Sequence, residues 1–397
     1  MNRREFLILC AVMLLPLAAI KGADALPRPA PDGGSFTKDM SSGSDDAVAQ
    51  AEGWICPSRC PGSNDTERVQ EALDKHSRVY LDRNYEVRSA VIHRVGQHVE
   101  FRGYTLNAAP GYDTESLLDI RGRELTLRDV RVNANYRSGA AVRWHSVHAS
   151  KPAQYNKVFG MHIARARTGL LFGDTTAAVD APQSENAIFG LTFRAVQVCL
   201  HVNQPNGFLF IVNSVMDCNA NEWSQDHPGQ FDETAARALL LGQGQVEIAN
   251  SELLKTATQK GYMAELGPAA TLKLSNCHFE SGAAGFLVSG SLWASNLSGL
   301  INNDSVPVVD IPPKIALPFC ALNNCLFNRP IAVSRYSAMA AVRSPPESTG
   351  RIGMVNCLLD GWKPACFFSG GVQPLGPNVL FRYLDAEGQV TEEVLER

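Results

Sequence analysis

Charge is scarce in this chain. Only 19% of its 397 residues are Asp, Glu, Lys or Arg, while glycine occurs 32 times. That balance suits many short strands and tight turns better than long solvated helices. No apolar run of about 18 or more residues, the length that spans a bilayer, follows the first 20 residues, so no membrane span is expected after them. Metal-ligand spacing is missing too. Cys56 and Cys60 have no second Cys or His pair at zinc-site distance, which argues against a structural zinc. Basic excess is absent: the net charge is −4, a poor basis for nucleic-acid binding.

What the chain does have is a repeated short unit. Its clearest copy is 272–280, Leu-Lys-Leu-Ser-Asn-Cys-His-Phe-Glu. Leu272/Leu274 and Cys277/Phe279 alternate with polar residues, as in strands with one buried face. The asparagine between them tolerates a left-handed backbone and can turn the chain sharply. The same unit places corners at Gly103, Asp129, Gly160, Gly190, Asn213, Asn250, Asn276, Asn324 and Asn356, at spacings of 26, 31, 30, 23, 37, 26, 48 and 32 residues. A basal period in the twenties with variable excess describes a solenoid whose coils carry loop insertions. Cys277, Cys325 and Cys357 share the position after the corner, so they are expected to stack inside as small apolar groups.

The first residues read as an export signal, 1–25. Asn2-Arg3-Arg4-Glu5-Phe6-Leu7 precedes an apolar run from Ile8 to Ile20, and Ala23-Asp24-Ala25 has the small-x-small pattern of a cleavage site. The Arg-Arg-x-Phe-Leu element resembles a bacterial twin-arginine signal; the alternative is a general secretory signal with two adjacent arginines. Either reading places the mature protein in the periplasm or outside the cell, free of the membrane once the signal is cleaved. Removing three basic and two acidic residues takes the net charge from −4 to −5. Nine of ten cysteines remain, an odd number that leaves at least one thiol unpaired in a monomer. Cys56 and Cys60 could form a local disulfide in an oxidising compartment or both stay free.

A flexible Pro-, Gly- and Ser-rich linker is expected over 26–55, the capped solenoid over 56–377, and a C-terminal cap or tail over 378–397. Asn64-Asp65-Thr66-Glu67 reads as a capping box. Val69, Ala72, Leu73 and His76 follow at helical spacing, which predicts a helix over 66–75. Short strands at 78–81 and 85–87 come next. This order of helix, short strands and coils resembles the N-terminal cap of the pectate-lyase-like right-handed parallel β-helix superfamily, over about residues 60–375. The resemblance implies an all-β, right-handed parallel β-helix of about nine to ten coils with an α-helical cap. It also implies three strands per coil, with the asparagine between the second and third. First strands then fall near 117–121, 141–145, 169–173, 199–203, 238–242, 263–266, 285–289, 331–335 and 366–369. Insertions stand out at 219–235, 293–318 and 338–350.

Outward positions on the first strands supply the candidate site. Asp119 and Arg121, Arg143 and His145, His201 and Asn203, and Glu265 fall there by alternation, with Asp174 at a strand end. Coils are spaced by about 4.8 Å, so these residues form a polar stripe fit for an extended polysaccharide. Arg143, His145, His201, Glu265 and Asp174 are the candidate catalytic groups. Asp119, Arg121, Asn203, Trp223, Asp226 and His227 are the candidate substrate contacts, the last three on the 219–235 insertion beside Glu222, Asp232 and Glu233. Asp129, Glu280 and Asp360 sit beside corner turns, where a structural role is expected, and His278 points to solvent.

Similar proteins of this superfamily act on polysaccharides by β-elimination or hydrolysis, but their familiar motifs are missing here. The coil region lacks the Asn-Thr-Asp, paired Asp, Gly-His-Gly and Arg-Ile-Lys motifs of the polygalacturonases and the Asp-Pro-His-Asp of the mannuronan epimerases. It also lacks a clear ligand cluster for calcium, so no cofactor is expected, with calcium left as the alternative. An exported polysaccharide lyase acting on a uronic-acid glycan is the leading expectation. A glycoside hydrolase using paired carboxylates, or a non-catalytic glycan-binding or surface-structural β-helix, is the alternative.

Overall fold

The computed structural model divides into Met1–Val48 and Ala49–Arg397. It describes residues 51–397 apart from 112–114, 138, 148–149, 175–182, 220, 228, 257–259, 304–305, 313–318, 330–341, 345–350, 363–367, 370–372, 376, 385–388 and 396–397. The expected export signal and nearly all of the linker lie outside the described residues.

The described chain is a parallel β-helix with a small helical N-terminus. Consecutive strands feed three faces. Sheet A holds the first strands, from Ala90–Ile92 through Ser116–Ile120 and Ala140–Trp144 to Phe368–Ser369. Sheet B begins at Arg78–Tyr80 and sheet C at Tyr85–Val87. Long segments run through several faces without a break, such as Lys157–Gly173 and Gln183–Val212. The unit at 272–280 behaves as its pattern requires: Leu272, Leu274, Cys277 and Phe279 are buried, and Asn276 turns with φ 53°.

All nine expected corners have positive φ. They stack: Asn213 N–H donates to Ala249 O, Asn250 to Ser275 O, Asn276 to Ser295 O and Asn324 to Val355 O, each at 3.0–3.1 Å. Two further corners, Asn296 (φ 53°) and Asn378 (φ 61°), belong to the same column. Amide side chains join this ladder, with Asn296 Nδ2 2.9 Å from Asn276 Oδ1 and Asn378 Nδ2 3.0 Å from Asn356 Oδ1.

The Asn296 corner changes the expected organisation. The supposed insertion at 293–318 begins within Ser291–Ser295 on sheet B and contains Ser298–Ile301 on sheet C and Val309–Asp310 on sheet A. The physical reason is local. The inward slot after this corner is Gly299, paired with Phe279 below it, and a Cβ there would sit 2.0 Å from Phe279 Cε1. The neighbouring ring fills the slot, so the coil shows no apolar residue at the place where the others do. The expected first strand at 331–335 lies outside the described residues; sheet A instead continues through Val342–Arg343.

The first helix, α1 (Asp65–Lys75), is capped as expected. Asn64 Oδ1 accepts from Glu67 N, and Glu67 reaches back to Ser63 N at 2.7 Å. Its side chains also cover strand edges that would otherwise be open. Asp65 accepts from Glu86 N, Thr66 from Arg88 N, and Gln70 both accepts from Val91 N and donates to Val91 O. At the other end Val379–Leu384 completes sheet C, and Val390–Leu395 lies antiparallel on it. The expected tail is therefore partly solenoid. Cys277, Cys325 and Cys357 are buried as expected, while Cys56 and Cys60 are free thiols, also buried.

Candidate functional site

Sheet A carries one continuous outward row. Its register runs Asp119, Arg143, Leu171, His201, Leu240, Glu265, Leu287, Asp310 and Arg343. The row beside it, Leu118, Val142, Leu170, Leu200, Leu239, Ala264, Phe286, Val309 and Val342, is buried throughout. The alternation that predicts outward residues therefore holds along the sheet.

Two groups of side chains form on this face. In the first, Asp119 accepts from Ser116 Oγ at 2.6 Å and pairs with Arg121. His145 is 7% exposed, and its Nε2 lies 3.8 Å from Asp119 Oδ2. That is too long for a hydrogen bond, and Nε2 has no hydrogen-bond partner among the described residues. Burial raises the Asp119 pKa, but His145, Ser116 and Arg121 lower it more and hold the carboxyl at about 2. One rung on, Arg143 donates to Asp174 Oδ2 at 2.6 Å and to Glu115 Oε2 at 3.1 Å. Asn203 Nδ2 holds the Asp174 carbonyl at 2.6 Å.

The second group lies three to seven rungs past Arg143. Arg237 donates through Nε and Nη2 to Glu265 at 3.2 and 3.1 Å. Tyr262 donates to Asp310, and Arg343 grips the same carboxylate, with Nε 2.9 Å from Oδ1. Burial, reinforced by the Asp310 acceptor, raises the Tyr262 phenol to about 12. Arginine's planar fork matches a carboxylate bidentately, which makes such pairs rigid. Arg237, Tyr262, Asp310 and Arg343 are absent from the sequence-based candidates. Asp310 and Arg343 follow the same alternation; Asp310 was hidden because the Asn296 coil is not visible in the pattern, and Arg343 because the first strand after Asn324 was expected at 331–335 and sheet A instead runs through Val342–Arg343.

Between the groups stands His201, flanked in register by Leu171 and Leu240. Burial lowers its pKa, so the imidazole is neutral near pH 7 and can accept a proton. No side-chain partner engages it among the described residues.

The insertion after strand Val215–Asp217 packs beside the bends that lead from sheet C into sheet A. Trp223 was expected to offer its ring to a sugar; it is instead 1% exposed, edge-on to Tyr136 (4.7 Å between centroids) and Phe231 (5.8 Å). A large apolar ring on a loop that folds back over the coils is better satisfied by burial than by water. Asp226 stays exposed, accepting from Tyr136 Oη at 3.1 Å and 3.9 Å from Arg165, and His227 packs edge-on against Tyr136. At the root of the insertion, buried Lys255 donates to the carbonyls of Glu233 and Ala236. Burial pushes the Asp217 carboxyl there up to about 6, on sheet C and not on sheet A.

Of the corner carboxylates, Asp129 supports Gly103 N and Arg131, Glu280 accepts from Asn302, and Asp360 pairs with Arg382. His278 is hydrogen-bonded to Ser298 at 2.8 Å. Among the described residues no group of three or more His, Cys, Asp or Glu could hold a metal ion, and no helix is long and apolar enough to cross a membrane.

No protein-family model and no curated protein matches this chain. Among solved structures it is similar to the Dettilon tailspike protein, with 11% identity and a TM-score of 0.39 over 88% of this chain and 75% of that one. It is also similar to the ORF18 protein of Geobacillus virus E2, with 10% identity and a TM-score of 0.30 over 88% of this chain and 65% of the other.

Proposed function

We propose that this is an exported glycan-active β-helix that binds an extended polysaccharide along sheet A and cleaves a uronic-acid glycan by β-elimination. The observation that carries this reading is the outward row itself: six polar groups aligned among nine successive rungs, with an unengaged neutral imidazole near its middle. Elimination beside a uronate needs a base for the C5 proton, and His201 is that base. Arg143, two rungs away on the same row, faces the carboxylate of a neighbouring uronate. Hydrolysis by two carboxylates fits less well. It calls for one carboxyl kept protonated, whereas Asp119, Asp174, Glu265 and Asp310 are all held by arginines.

One observation favours a second reading, glycan binding without catalysis. Both terminal nitrogens of Arg143 are engaged by Asp174 and Glu115, and its side chain is only 13% exposed. Incubation with uronans and neutral glycans separates the two. New ultraviolet absorbance from an unsaturated uronate, lost at least a hundredfold in His201→Ala, is the result expected of the lyase. Its acid limb should fall below pH 6.5, because burial lowers the His201 pKa. Retained binding without product would leave the binding protein, and new reducing ends without that absorbance would replace elimination by hydrolysis.

A further inference from the structure

The outward row of sheet A alternates not only in the chain but also across the coils. Over the seven rungs from Arg143 to Asp310, between Asp119 at one end and Arg343 at the other, the row reads Arg143, Leu171, His201, Leu240, Glu265, Leu287 and Asp310. Polar residues occupy every second rung, and leucine occupies each rung between. Strand pairing does not demand this. Alternation along one strand places residues in or out, but which residue faces out on the next coil is free to vary. Leucine is also an unusual choice for three outward positions on a face otherwise committed to ion pairs. Leu171 is 7% exposed, and Leu240 and Leu287 are half-buried.

Two rungs of a parallel sheet advance by roughly 9–10 Å, close to the length of one disaccharide in a fully extended, equatorially linked glycan. In such a chain each sugar is turned by half a revolution from the last, so the same polar edge returns at every second residue. The residue between presents its apolar C–H face. A three-fold glycan returns its edges every third residue and would fall out of step with this row within one repeat.

We infer that the ligand of sheet A is a two-fold, equatorially linked glycan lying along the coil axis, with one disaccharide spanning two coils. Arg143, His201, Glu265 and Asp310 meet its polar edges, while Leu171, Leu240 and Leu287 support its apolar faces. This rests on the proposal that sheet A binds a polysaccharide and goes beyond it by naming the linkage geometry and the register. Apolar contact with the leucines supplies affinity. The spacing supplies selectivity, because a glycan of the wrong repeat places hydroxyls over leucine and C–H faces over buried carboxylates.

Calorimetric titration of the whole mature protein with defined oligomers tests this. The probes are β-1,4-linked mannuronan oligomers, α-1,4-linked oligogalacturonates and cello-oligosaccharides, each in a length series. Affinity for an equatorially linked series should climb in steps of two sugars, and the oligogalacturonates should bind at least roughly tenfold more weakly at equal length, a gap of about 1.4 kcal/mol. Leu240→Asp should erase that preference, and Leu287→Asn should weaken it if the first variant folds poorly; the wild-type length series needs neither. A uniform gain per added sugar, or a preference for oligogalacturonate, would overturn the two-coil register while leaving glycan binding intact. Failure of every series to bind would remove both the register and the proposed function beneath it.

Discussion

Two carboxylates, Asp310 on sheet A and Asp360 on sheet C, are built almost alike. Each is buried, and each is gripped bidentately by an arginine one coil later, Arg343 and Arg382, through Nε at 2.9 Å and through Nη2. The arginines are 44% and 40% exposed. What differs is the surroundings. Asp310 has a second donor in Tyr262 and sits in the outward row with Arg143, His201 and Glu265. Asp360 has no other side-chain donor among the described residues, and its row on sheet C runs Asp217, Leu254, Glu280, Leu300 and Asn328 before it, with no histidine and no arginine until Arg382. An aspartate–arginine clamp is therefore a structural device of this solenoid, repeated where an outward carboxylate would otherwise be buried unpaired.

The largest expected effect breaks the clamps directly. Arg382→Met strands a buried carboxylate and should cost about 3–5 kcal/mol of unfolding free energy in urea titration. Arg343→Met should cost roughly 1 kcal/mol less, because the Tyr262 hydroxyl still bonds Asp310. Equal losses would show that Tyr262 contributes nothing.

A third carboxylate sharpens the comparison through pH. Asp119 is held at about 2, below its unfolded value of about 3.9. A depressed acid contributes stability above the unfolded pKa and loses it as pH falls through the folded one. The advantage of the wild type over Asp119→Asn should thus be full above about pH 4, roughly 2–3 kcal/mol, and vanish toward pH 2. A difference that is flat across this window would contradict the paired, ionised state of Asp119. Tyr262→Phe isolates the extra donor at Asp310 and should cost about 1 kcal/mol.

The smallest effect separates structure from function. Arg343→Lys and Arg382→Lys both keep charge and lose the planar fork. The first should weaken glycan binding several-fold, by about 1 kcal/mol, whereas the second should leave it unchanged. Equal effects on binding would dissolve the distinction between the two sheets.

Much of this was legible in the residues. The corner pattern marks nine turns, and alternation marks Asp119, Arg143, His201 and Glu265 as outward, because a strand's period and a left-handed corner are local properties that a few residues determine. The coil at Asn296 escaped because its inward slot is a glycine filled by the Phe279 ring of the coil below, a contact the linear chain does not display. Asp310 went unrecognised with it, and Arg343 because the next first strand was expected at 331–335 and not at Val342–Arg343.

By itself, then, the sequence determines the repeat, the stacking asparagines, the capped helix and the face on which polar residues stand. Only the tertiary structure decided which of those residues are engaged. It bound Arg143 to Asp174, set buried His145 beside Asp119 and left His201 without a partner. It also folded Trp223 against Tyr136 and out of a sugar's reach. Partners across coils are chosen by the paths of loops of unequal length, and those paths are settled by packing far along the chain. Register carries each side chain to its rung; the neighbours it meets there set its charge and its exposure.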